Sequence, residues 1–181
     1  MKVYLNIIVL FFSISFHSIG QIPGYREDTA FPTFDLNFLI IKSTQDSNKE
    51  FRFLKSDMAD FLEKFPNPDR NEDYYYEMQE VMTRLISYDV SELYFLEGKL
   101  IDFRFQDSKF SIGNGESFIK VGDHYSEVEK IYPSYKNQFD TLKRENIGRI
   151  FIILSNKKIV LDDGLGVFFD LATGKITSIQ F

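Results

Sequence analysis

The chain has 181 residues, with 27 Asp and Glu against 21 Lys and Arg, a formal net charge of −6 and no cysteine. That mild acidity, with no Lys/Arg cluster along the chain, argues against nucleic acid and anionic membrane surfaces, both of which reward basic patches. Without cysteine, a disulfide scaffold, thiol catalysis and lipid attachment through Cys are all excluded, so the fold has to rest on core burial.

The amino terminus has the layout of a secretory signal over residues 1–20. Lys2 precedes an apolar run from Val3 to Ile14, and Ser18-Ile19-Gly20 supplies small residues before Gln21, the expected first mature residue. The run is short of the roughly 20 apolar residues a membrane span needs. An uncleaved anchor is the alternative. Cleavage leaves about 160 residues, enough to bury a core.

Residues 21–50 read as an irregular lead followed by a strand, Phe34 to Ile41, and a polar turn at Thr44–Asn48. Phe51–Leu54 reads as a second strand. A helix is expected from Asp57 to Phe65, capped by Ser56 or Asp57 and stopped by Pro66. Tyr74–Tyr88 fits either a helix or a strand. Asp89–Phe95 runs through the loop Leu96-Glu97-Gly98 to Lys99-Leu100 as a hairpin, with Phe95, Phe103 and Phe105 on the same face as Leu93. A second short helix is expected at Ser126–Tyr132, ended by Pro133. Four strands follow, at Ile150–Leu154, Lys158–Leu161, Val167–Leu171 and Lys175–Phe181.

These elements say the same thing twice. Phe51-x-x-Leu54 leads into Phe61-Leu62-Glu63-Lys64-Phe65-Pro66, and Phe118-x-x-Val121 leads into Val128-Glu129-Lys130-Ile131-Tyr132-Pro133. Each copy closes on a hairpin with Gly98 or Gly174 at the third loop position, where a left-handed residue is needed. The reading is α+β: two tandem repeats, residues 51–112 and 113–181, each a short helical segment packed on an antiparallel meander. In this register Leu93 pairs with Ile101 and Val167 with Ile179. The copies differ by an even number of residues, which keeps each side chain on its own face.

Ile119-Lys120-Val121-Gly122-Asp123, the Ser126–Lys130 helix with Pro133, and Gly174-Lys175-Ile176-Thr177-Ser178-Ile179 resemble the β-lactamase-inhibitor-protein-like arrangement. They also resemble the related SmpA/OmlA outer-membrane assembly lipoprotein domain. The resemblance implies a non-catalytic module acting in the envelope. The lipid-attachment Cys of the second group is missing, so this chain is not expected to be a lipoprotein.

Catalytic chemistry is sparse. Past the signal, His124 is the only histidine, and no Gly-x-Ser-x-Gly elbow accompanies it, so no catalytic residue is assigned. Asp162-Asp163-Gly164 reads as a solvated turn rather than paired acids. Asp69, Asn71, Asp73, Tyr75, Glu77 and Glu80 fall at the six ligand positions of an EF-hand loop, a hard-oxygen set suited to calcium. Tyr74 stands where that loop uses Gly. An exposed acidic loop is the alternative, and no other cofactor is expected.

The register leaves Tyr94, Leu100, Asp102 and Arg104, with Phe168 and Ile176, on the sheet face away from the helices. Apolar side chains on an open face, rimmed by charge, suit a protein partner. They would equally suit a face covered by residues 21–50. The functional expectation is therefore an exported, non-catalytic protein-binding module of inhibitor, immunity or envelope-accessory type, periplasmic or extracellular. It would have no nucleic-acid partner and no stable membrane insertion after cleavage. The alternatives are a structural envelope component, calcium-stabilised or not, and a carboxylate-dependent envelope hydrolase.

Overall fold

The computed structural model describes residues 32–181 except 78, 143, 144 and 158, and leaves out the side chains of 137, 142 and 162. The signal expected at residues 1–20 lies outside the described residues. The strand expected at Phe34–Ile41 is broken. Asp35 turns the chain by accepting the Asn37 N–H at 2.9 Å, so β1 (Phe34–Asp35) and β2 (Ile40–Ser43) flank a 3-10 turn. β3 (Glu50–Arg52) returns beside β2.

The one α-helix among the described residues, α1 (Met58–Lys64), starts on a reciprocal capping box between Asp57 and Asp60 and ends before Pro66. Strands then take over. Tyr74–Tyr88, ambiguous in sequence, forms most of the hairpin of β4 (Arg70–Tyr76) and β5 (Val81–Tyr88). Next come β6 (Ser91–Leu96), β7 (Lys99–Phe105), β8 (Phe110–Gly113) and β9 (Phe118–Lys120). The expected second helix is only a 3-10 segment, Tyr125–Lys130, capped by the His124 ring nitrogen Nδ1. After it come β10 (Phe139–Leu142), β11 (Ile147–Asn156), β12 (Ile159–Asp170) and β13 (Ile176–Gln180).

The α+β expectation is therefore corrected: this is a mostly-β protein, not a pair of helix-covered meanders. A nine-stranded mixed sheet runs β1-β11-β12-β13-β7-β6-β5-β4, with β10 also on β11, and a four-stranded sheet runs β3-β2-β8-β9. β1 joins β11 in parallel; the other pairings are antiparallel. The strand order reads outward from the β7–β13 contact in matching sequence, β7-β6-β5 on one side and β13-β12-β11 on the other.

The cover that helices were expected to supply comes mainly from the small sheet. Ile41, Phe51, Phe110, Ile112 and Ile119 are buried with Leu93, Phe95, Phe103, Phe105, Val167, Phe169 and Ile179 of the large sheet. Phe51 meets Phe95 edge-on at 6.3 Å, and Phe105 stacks on Phe110 at 5.0 Å. Phe61 of α1 plugs the same core, 5.2 Å from Phe51. Aromatic pairs of this geometry add about 0.5–1.5 kcal/mol each beyond area burial. Among the described residues no helix is long and apolar enough to cross a membrane.

Each central hairpin carries a β-bulge, and the bulges overturn part of the expected register. Glu97 and Gly98, both left-handed (φ 49° and 79°), make a two-residue turn, not the three-residue loop expected. A bulge between Tyr94 and Phe95 then sets Leu93 opposite Phe103 instead of Ile101. The second hairpin keeps Val167 opposite Ile179, then shifts between Phe168 and Phe169 so that Phe169 meets Ile176.

Candidate functional site

The open face of the large sheet holds a cleft of about 810 Å³, built where β4, β6 and β7 bring tyrosines and charges together. Its edge is an arm. The β4–β5 hairpin outlasts β6, whose pairing with β5 ends at Arg84–Phe95, so Val81–Thr83 pair with β4 alone. Tyr76 at the end of that arm donates its hydroxyl hydrogen bond to Asp102 of β7. In a flat sheet these strands would lie roughly 14 Å apart. The contact therefore shows that the arm curls over the open face.

Three tyrosines form a strip across the cleft. Tyr94 of β6 packs against Tyr74 at 5.4 Å and Tyr76 at 5.2 Å, both pairs tilted. The Tyr94 hydroxyl donates to Glu92 at 2.8 Å. Leu85, Thr83 and Ser87 are buried beneath this strip although they face away from the main core.

Charge converges on the same space. Glu77, Glu92, Asp102 and Asp163 line it together with Arg70 and Arg104. Arg70 is already paired with Glu72, its Nε 3.0 Å from the carboxylate. Arg104 forms no salt bridge among the described residues, and its charge acts on Asp102, Tyr76 and Tyr94. Burial pushes the Asp102 carboxyl above the usual carboxylate range, against the pull of the Tyr76 hydrogen bond, the Phe103 N–H and Arg104. Tyr76 and Tyr94 are both held well above the ordinary phenol range, first by burial and then by the carboxylate each one serves.

Of the six residues expected to form the binding face, the structure brings Tyr94, Asp102 and Arg104 together in the cleft. Leu100 and Ile176 belong to the main core instead, at 4% and 1% exposure, because the bulges turn them inward. Ile101, expected in the core, lines the cleft. Phe168 is half-buried and does not line the cleft, its ring lying where a Cβ on Gly166 would be. Tyr74, Tyr76 and Arg70 were missed because their segment was read as a calcium loop. A period-two reading of Arg70, Glu72, Tyr74 and Tyr76 would have found them.

The segment expected to form the calcium loop is part of a hairpin instead. Arg70–Tyr76 is a strand, and Asn71, Asp73 and Tyr75 point along one face of it at steps of roughly 7 Å rather than converging on one point. Asn71 and Asp73 instead hold Arg84, at 2.6 Å and 2.9 Å. Glu80 sits in the hairpin turn with φ 54°. Among the described residues, no three His, Asp or Glu side chains are grouped to hold a metal ion. Asp162-Asp163-Gly164 is strand too, within β12, and this puts Asp163 in the cleft.

Compared with known proteins, the chain matches no family model, no curated protein and no solved structure.

Proposed function

We propose that this is an exported, non-catalytic protein-binding module that seats part of a partner protein in the tyrosine cleft of its open sheet face. One observation carries the reading: Tyr74, Tyr76 and Tyr94 line one concave space with Arg104, which forms no salt bridge among the described residues. Tyrosine and arginine dominate the energetics of protein interfaces, because each combines a large, stiff contact surface with directional donors. The resemblance to the β-lactamase-inhibitor-protein-like arrangement and the signal-like residues 1–20 point the same way. The test is a pull-down from an envelope extract using purified mature protein beside Tyr94→Ser and Arg104→Glu. A partner retained by wild type and lost by both folded variants is the expected result. Identical capture by all three proteins overturns the reading.

A second reading has its own support. Asp102 and Asp163 line one cleft, and burial raises the Asp102 pKa, the direction a general acid needs. A carboxylate-dependent envelope hydrolase would lose turnover of an envelope polysaccharide in Asp102→Asn and in Asp163→Asn. No turnover by wild type disposes of it.

A further inference from the structure

A second, smaller cavity lies apart from the cleft, between α1, β8 and the turn after β2, with a volume of about 210 Å³. Its lining brings together Lys49, Lys64 and Lys109, three lysines far apart in a chain that has no basic cluster along its length. No carboxylate among the described residues lines it.

The lysines are not loose surface charges. Lys64 Nζ donates to the Glu50 carbonyl at 2.7 Å, which fixes the ammonium and leaves two N–H groups to spare. Lys109 Nζ lies 5.5 Å over the Tyr88 ring, within cation–π range. Tyr88 donates its hydroxyl hydrogen bond to the Phe65 carbonyl, which occupies an acceptor at the end of α1 that would otherwise repel an anion. Asn67, left-handed at φ 61°, and Ser43 add polar groups to the wall. The nearby Asp69 stays outside the lining and accepts the Asp89 N–H at 2.5 Å.

We infer that this cavity is a binding site for a phosphate- or sulfate-type oxyanion, free or carried on a sugar, held by Lys49, Lys64 and Lys109. Two of its three cations are positioned before a ligand arrives, which lowers the ordering cost of binding. An ammonium binds an oxyanion as a point charge and needs no fork geometry, so three lysines around a small cavity suffice. The site is independent of the tyrosine cleft and stands whether or not that cleft takes a protein.

The test is an NMR titration of the mature protein with sodium phosphate, against sodium chloride at matched ionic strength, following the amides of Asn67 and Lys109. Saturable shifts with phosphate alone are expected. Lys49→Gln/Lys109→Gln should weaken binding about ten-fold or more, since each lost charge-assisted bond counts heavily. Lys99→Gln, outside the cavity, should leave it unchanged. Glucose 6-phosphate as a parallel probe separates the sources: tighter binding than inorganic phosphate means that the ligand carries a sugar, and equal binding means a free anion. Shifts that match chloride, or that persist undiminished in the folded double variant, overturn the site.

Discussion

Tyr76 at the tip of β4 donates a hydrogen bond to Asp102 in β7, across the two strands that separate them in the sheet. It ties the overhanging hairpin arm to the sheet floor. Tyr76→Phe keeps the ring and removes the tie. A hydrogen bond to a charged group is worth about 1.5–3 kcal/mol, so the arm should open more often while the global fold holds. Hydrogen exchange should speed up by about ten-fold or more at Val81–Thr83 and stay unchanged at Leu93 and Val167. Uniform acceleration across the sheet would show that the contact is not local.

Asp102 itself should set a pH dependence. Its native pKa is raised, so the native state takes up its proton before the unfolded chain does. Its contribution to stability is therefore present in acid and is lost as the pH rises through the native pKa. Asp102→Asn, which keeps a carbonyl to accept from Tyr76, should gain stability relative to wild type between about pH 4 and pH 7. Urea denaturation at both pH values measures this. A variant that falls further behind wild type at the higher pH contradicts it.

The bulges make a sharp claim about Leu100 and Ile176. Both were expected on the open face and both are buried, so Leu100→Ala and Ile176→Ala should each cost about 2–5 kcal/mol. Tyr94→Ser, which removes a half-buried ring, should cost less than either. Denaturation midpoints that order the three the other way would restore the register without bulges.

Gly174 answers to two constraints at once. Its φ is 69°, and a Cβ there would lie 2.2 Å from the His124 ring. Gly174→Ala should therefore lose about 1–3 kcal/mol through backbone strain and the clash together. Adding His124→Ala should recover part of that loss, leaving the backbone share. Strictly additive effects in this double-mutant cycle would mean that the ring is not in the way.

Read as sequence alone, the chain already determined its strongest local events. The Asp57 cap and Pro66 bound α1, the apolar alternation of Leu93, Phe95, Phe103 and Phe105 marked one buried face, and Val167 was set opposite Ile179. Caps, prolines and period-two patterns act through neighbours a few residues away, so they are legible without a fold. Three things were settled only by tertiary structure. The small sheet took the place of helices as cover, because its two local hairpins, β2–β3 and β8–β9, are joined only where β2 finds β8 across a long stretch of chain. Two one-residue bulges exchanged Leu100 for Ile101 and sent Ile176 inward, because one extra residue inverts every face beyond it. Asp163, Asp102 and Tyr76 met in one cleft, and Lys49, Lys64 and Lys109 around one cavity, because a curled sheet and a packed helix bring together side chains that nothing in their sequence spacing connects.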